Sequence, residues 1–428
     1  MKTSGSSIPF PILRGEVTCP LFPWARVSER AMELESELER VYRAFRSSLT
    51  SSEARAGGSG VMFSSLEMRS RGWEVLLEGD RAINENIRFR IPLSFPEKGI
   101  PADQCLILGH GFNETDYAKI FPWSYFLCRE LGIPVLVFPC AFHLNRRPSH
   151  WVKLSRSLYH KRRQIKANRS SSPFNSVASE RMSEAPQRFF LGALQSHGDL
   201  LDLVRLVRSG KLKVASGGQL LALTQEGAIV HFLGYSLSGY LFLGELLLDG
   251  EGLFEESKCV LFNSFAAWDE ANPVSVLVVD EEAYRKGTDF YLGTYRLSSP
   301  KEFVALYEDS REGVLFRRLF LRDSGFSPLK AELAPLRERL LLVADPHDPI
   351  FPGKAIARHL GEGMATVFLT LGRHEFPFNI SRTDSESFHH LAKAMRRSWL
   401  PAPSYREVFQ NWLALIVRFL TGSPFGEK

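Results

Sequence analysis

The chain has 428 residues, 44% of them hydrophobic and 24% charged, and a formal net charge of +5. That is the composition of an ordinary soluble globular protein, long enough for one large α/β domain with insertions or for two or three smaller units. The mildly basic balance is too small to argue for a nucleic-acid partner.

Residues 1–100 read as an N-terminal extension. "SERAMELESELERVYRAFRSSL" (28–49) mixes apolar and charged residues at helical spacing, "EARAGGSG" (53–60) reads as a turn or flexible link, and "NIRFRIPLSF" (86–95) alternates like an antiparallel strand. Residues 101–428 read as the main domain. There, short apolar runs predict strands over 105–111, 133–140, 228–234, 258–265, 339–345 and 365–372. Between and after them, helical patterns span 116–131, 188–209, 239–248 and 404–422. Continuous Val/Ile/Leu runs alternating with helices predict an α/β fold: a mostly parallel central sheet with helices on both faces. Two segments break the alternation, a basic stretch at 141–187 and a mixed helix-and-loop stretch at 269–336. Both follow strands, so both are expected over the same end of the sheet, as a basic lid and a cap.

Five cysteines (Cys19, Cys105, Cys128, Cys140, Cys259) are scattered without CxxC spacing. This argues against a disulfide framework and a zinc site, and neither a metal nor a cofactor is expected. "MKTSGSSIPFPILRG" lacks the apolar core of a signal peptide, and no stretch approaches the ~18–20 apolar residues of a membrane span. A cytoplasmic protein is expected.

In open parallel sheets, functional groups collect beyond the carboxyl ends of the strands. His110-Gly111-Phe112-Asn113 follows the first buried strand, and Ser236 follows the 228–234 strand. "PHDPIFPG" follows 339–345, so that Asp345 ends that strand and Asp348 lies just beyond it, and Arg373-His374-Glu375 follows 365–372. The chemistry-bearing residues thus occur in the order Ser, Asp, His, each at its own strand end.

Over roughly 104–422 the chain resembles the α/β-hydrolase superfamily, in which a serine on a strand–turn–helix elbow precedes an acid and a histidine. "GYSLS" (234–238) resembles the elbow, with the second glycine one position late, at Gly239, and Ser238 in its place. A small residue there is expected to be tolerated. "DPIFP" resembles the acid loop and points to Asp348, while "LGRHEF" resembles the histidine loop and points to His374. "HGF" (110–112) resembles the oxyanion loop, which implies the N–H groups of Phe112 and Leu237 as oxyanion donors. Asp345, which ends its strand directly, stays open as an alternative acid, and His389-His390 as an alternative base.

Further residues near these strand ends are candidates for substrate contact: His110, Gly111, Asn113, Tyr235, His143, Arg146 and Arg147. The plainer readings are that His110 shapes the oxyanion loop and that Asn113 caps the following helix. The run "FHLNRRPSHWVKLSRSLYHKRRQIKANR" (142–169), with Trp151 and Tyr159 among its charges, is open between an anion guide, an acidic-partner surface and a solvated lid. It resembles the post-strand segment of some bacterial α/β hydrolases with no assigned substrate. The resemblance implies a serine hydrolase acting on a small-molecule ester or thioester. The alternative is a catalytically silent fold that binds an anionic partner through the basic segment.

Overall fold

The computed structural model describes residues 40–58, 60–321, 329–360, 365–378 and 406–423. Its centre is a nine-stranded sheet in the order β1-β2-β3-β5-β4-β8-β9-β10-β11. β1 (Arg55–Gly58), β2 (Val61–Arg69) and β3 (Arg88–Pro96) form an antiparallel edge. β4 (Ala102–Gly109), β5 (Val135–Phe138), β8 (Thr224–Tyr235), β9 (Cys259–Phe262), β10 (Leu340–Ala344) and β11 (Ala365–Phe368) run parallel. β6 (Lys213–Ser216) and β7 (Gln219–Ala222) form a separate hairpin, and β12 (Gly372–Arg373) pairs with β13 (Phe376–Pro377).

Successive residues of the parallel strands serve different cores. Cys105 and Ile107 pack on one face, with Phe232, Phe242, Leu203 and Leu261. Leu106 and Leu108 pack on the other, with Phe121, Leu127, Val260 and Trp412. A strand buried on both faces has no room for polar alternation, which is why these segments read as unbroken apolar runs. The helices Gln187–Arg208 and Leu237–Leu248 cover the first face; Ile120–Leu131 and Arg406–Thr421 cover the second, joined there by a helix over residues 40–48.

Several boundaries differ from those expected. The segment read as a link supplies β1, with Arg55 opposite Phe63 and Ala56 opposite Met62, so residues before 100 complete the main sheet. The helix expected from 116 begins at Ile120, because the Asp116 side chain accepts from Ala118 N at 2.9 Å and holds a turn there. The run expected as a strand to 372 leaves the sheet after Phe368, and Leu371 N donates instead to Asp345 Oδ2 at 2.7 Å.

The basic stretch folds as a turn at Leu144–Arg146 and two helices, Trp151–Arg163 and Ser176–Glu184. Part of its positive charge is paired within the fold. Arg162 is 1% exposed and donates to Asp280 Oδ1 and Oδ2 at 2.6 and 2.5 Å and to Glu180 Oε2 at 2.8 Å. Asp280 caps the cap helix Glu281–Asp289, so this cluster ties the two insertions together. Arg181 grips Asp80 at 2.8 and 3.1 Å. Trp151 is buried against Phe142, with centroids 6.2 Å apart, which removes it as an exposed stacking platform. Lys153, Arg156, Lys161 and Lys166 remain exposed.

Arg146 is fully buried and donates to Asp199 Oδ2 at 2.7 Å and to the Asn86 carbonyl at 2.9 Å, over the Phe89 ring. Burial raises the pKa of Asp199 and lowers that of Arg146, and their pairing offsets both. Removing one partner of such a pair strands the other charge. Asp199→Ala should therefore cost about 3–5 kcal/mol in equilibrium urea unfolding; a loss under about 1 kcal/mol, the range of an exposed pair, would contradict this reading.

Candidate active site

β8 runs to Tyr235, and the helix Leu237–Leu248 starts two residues later. Ser236 makes the turn between them with φ 52° and ψ −112°, a region a non-glycine residue enters only when its surroundings impose it. Two contacts do so. Ser236 N donates to the Phe262 carbonyl at 3.0 Å, and Ser264 Oγ donates to the Ser236 carbonyl at 2.6 Å.

The late glycine has a steric explanation. A Cβ at Gly239 would lie 2.2 Å from Ser264 Oγ, so position 239 admits no side chain. Position 238 does admit one, because Gly109 on the neighbouring strand leaves the space; a Cβ on Gly109 would lie 2.2 Å from Ser238 Cβ. Ser238 uses that space to donate its hydroxyl to the His110 carbonyl at 2.6 Å. The departure from the expected pattern thus fastens the elbow to the loop after β4.

Ser236 Oγ lies 2.8 Å from His374 Nε2, and His374 Nδ1 lies 2.7 Å from Asp348 Oδ2. All three residues are 4–5% exposed. With Asp348 ionised, Nδ1 carries the imidazole proton and Nε2 accepts from the serine hydroxyl. The other Asp348 oxygen accepts from Ile350 N at 2.8 Å and Phe351 N at 2.9 Å. Asp345 lies elsewhere: its carboxylate accepts from His347 N and Leu371 N, closing the acid loop against the chain leading to His374. His374 sits in the turn between β12 and β13, where the Tyr235 hydroxyl donates to its carbonyl and the Phe351 ring meets its imidazole edge-on at 5.1 Å. His389 and His390 lie outside the described residues.

The loop after β4 completes the arrangement. His110 is fully buried and does not line the cavity. Cys140 N donates to its Nε2 at 2.9 Å, so Nδ1 is the protonated nitrogen and donates to the Gly111 carbonyl at 2.8 Å. Burial holds its pKa well below the usual histidine range, which keeps this neutral tautomer. Asn113 neither caps a helix nor offers its amide N–H groups to a ligand. Its Nδ2 donates to the Phe174 and Leu277 carbonyls at 2.9 and 2.8 Å, one in each insertion. Leu237 opens the elbow helix, so its N–H has no acceptor within the helix, and Leu237 and Phe112 both line the cavity.

One cavity of about 260 Å³ reaches Ser236 and His374. Its walls are mainly apolar, with Phe142, Trp151, Phe189, Phe316 and Phe320 from the insertions and the helices below them. Gly111, Asn113, Tyr235, His143 and Arg147 also line it; Arg146 does not, being held by Asp199. His143 packs edge-on against Phe112 at 5.4 Å, and burial lowers its pKa to about 4. Sequence reasoning missed a polar pair in the same wall, His197 Nδ1 and Glu245 Oε1 at 2.6 Å. Glu245 sits alone on an apolar helix face, a signal visible in "LFLGELLL". Among the described residues no group of three or more His, Cys, Asp or Glu is placed to hold a metal ion, and no helix is long and apolar enough to cross a membrane.

The strand order and the serine elbow at the end of β8 are those of the α/β-hydrolase fold. Residues 64–394 match a family described as a family of unknown function, DUF6051, and the chain belongs to that family. No curated protein matches the sequence. Among solved structures, esterase Est22 is similar at 13% identity and a TM-score of 0.44, over 93% of each chain. Brefeldin A esterase, a bacterial homologue of human hormone-sensitive lipase, is similar at 13% identity and a TM-score of 0.41, over 94% of this chain and 88% of its own. The acylaminoacyl peptidase of Pyrococcus horikoshii is similar at 13% identity and a TM-score of 0.35; the match spans 86% of this chain but only 43% of the peptidase.

The tight contact at Gly239 yields a direct test. Gly239→Ala should displace Ser264, release the Ser236 carbonyl, and lower stability by about 1–3 kcal/mol in chemical denaturation. An unchanged midpoint would show that the elbow is not held in this way.

Proposed function

We propose that this protein is a serine hydrolase that cleaves a small-molecule ester or thioester through an acyl-enzyme on Ser236. The observation that carries this reading is the unbroken relay from Ser236 Oγ through His374 to Asp348, at 2.8 and 2.7 Å. A serine hydroxyl is a weak nucleophile at neutral pH and needs an adjacent base. His374 Nε2 takes the hydroxyl proton as Oγ attacks the carbonyl carbon, and then gives it to the leaving alcohol or thiol. Water repeats the sequence on the acyl-enzyme, releasing the acid and restoring Ser236. Asp348 holds the imidazole by Nδ1–H and stabilises the imidazolium. The N–H groups of Leu237 and Phe112 serve the tetrahedral oxyanion, a contribution typically worth about 10²–10³ in turnover per donor.

The apolar cavity favours a substrate with a hydrophobic body. Cys105, Cys128, Cys140 and Cys259 are free and buried, and this reading takes the protein to work in a reducing compartment such as the cytoplasm. In the binding-protein alternative, Arg146, Arg162 and Arg181 are paired internally and do not serve an anionic partner, which leaves that contact to exposed cations such as Lys153, Arg156 and Lys166.

Hydrolysis of p-nitrophenyl butyrate tests the proposal. Ser236→Ala should lower kcat by about 10⁴–10⁶, and Asp348→Asn by about 10⁴ through the wrong imidazole tautomer. Asp348→Asn retaining wild-type turnover would remove Asp348 from the relay.

A further inference from the structure

Five arginines in or beside the basic insertion are wholly or largely withdrawn from water, and four have carboxylate partners. Arg146 is paired with Asp199 at 2.7 Å, Arg162 with Asp280 at 2.5 Å, Arg181 with Asp80 at 2.8 Å and Arg188 with Asp80 at 3.2 Å. Arg147 is the exception. Among the described residues no carboxylate pairs with it, and its buried Nε has no hydrogen-bond partner. Burial lowers its pKa, with no neighbouring acid acting the other way.

Arg147 lines the cavity that reaches Ser236. Its backbone N–H is bonded to the Leu144 carbonyl at 3.2 Å, and Leu144 N to the Glu114 carbonyl at 3.1 Å, which ties this turn to the loop carrying Phe112. The His143 ring fills the space between, packed on both His110 and Phe112. His143 is held neutral by burial, so it adds no like charge beside Arg147. A partly desolvated guanidinium without an acceptor is costly, and its planar fork matches a carboxylate or phosphate.

We propose that Arg147 is the anion-recognition group of this cavity, and that the substrate is amphiphilic, with an apolar body and a carboxylate or phosphate held by the Arg147 fork. The inference rests on the hydrolase reading for what happens at Ser236, but the binding it predicts does not depend on turnover. It assigns Arg147 to specificity, separate from the relay.

The test uses full-length Ser236→Ala protein, which keeps the cavity and removes the nucleophile. Titration calorimetry compares monomethyl suberate, dimethyl suberate and hexyl phosphate. The half-ester should bind tighter than the diester by about tenfold or more, and adding Arg147→Met should bring the two affinities together. Hexyl phosphate binding tighter than the half-ester identifies phosphate as the head group; the reverse order identifies carboxylate. Equal affinity for half-ester and diester, a preference that survives Arg147→Met, or binding of none of the three overturns the proposal. If Arg147→Met fails to fold, the half-ester to diester ratio on the Arg147-intact protein decides. An anion preference in a protein whose wild type hydrolyses no ester would leave the Arg147 site standing and remove the hydrolase reading.

Discussion

The backbone of Ser236, held at φ 52° and ψ −112°, is the constraint around which the rest of the site is arranged. A non-glycine residue in a sparsely populated region costs on the order of 1–3 kcal/mol, so neighbouring structure must impose it. Here β9 accepts its N–H, Ser264 holds its carbonyl, and Gly239 removes the side chain that would block Ser264. The return is geometric: the hydroxyl stands at the end of the central strand, within 2.8 Å of an imidazole carried by a distant part of the chain. The same turn organises its neighbours, since Tyr235 bonds the His374 carbonyl and Ser238 bonds the His110 carbonyl. His374 and the loop after β4 are thus both fastened through the residues flanking Ser236.

A second layer of order comes from charge. The insertions carry many cations, yet their buried arginines are spent on holding the insertions to each other and to the sheet: Arg162 on Asp280 and Glu180, Arg181 on Asp80, Arg146 on Asp199. Asn113 adds a neutral tie, joining the loop after β4 to both insertions at once. The cover over Ser236 is therefore a braced wall, and the cavity beneath it is mainly apolar. Against that background one unpaired guanidinium in the wall stands out.

The parallel strands were legible in the sequence because burial on both faces forces unbroken apolar runs, as at Cys105–Leu108 and Leu340–Ala344. The order Ser236, Asp348, His374 was also legible, because each lies just past such a run. What stayed hidden depends on pairings remote in sequence. β2, "VMFSSLEMR", carries serines whose hydroxyls bond backbone around residues 48–52, so its apolar pattern is interrupted. Arg146 and Arg147 are adjacent and alike in sequence, yet one meets Asp199 from a helix 53 residues on and the other meets the cavity. The Ser238–Gly109 complementarity, between residues on neighbouring elements, explains a motif departure that the local sequence could only flag.

The central claim is that the Ser236 hydroxyl is the nucleophile. Peptide mass mapping after reaction with a fluorophosphonate tests it most directly. The account predicts one phosphonyl adduct, on Ser236, formed in the wild type and absent from both Ser236→Ala and His374→Ala. An adduct on another residue, or a protein left unmodified under conditions where a known serine esterase reacts fully, would contradict it.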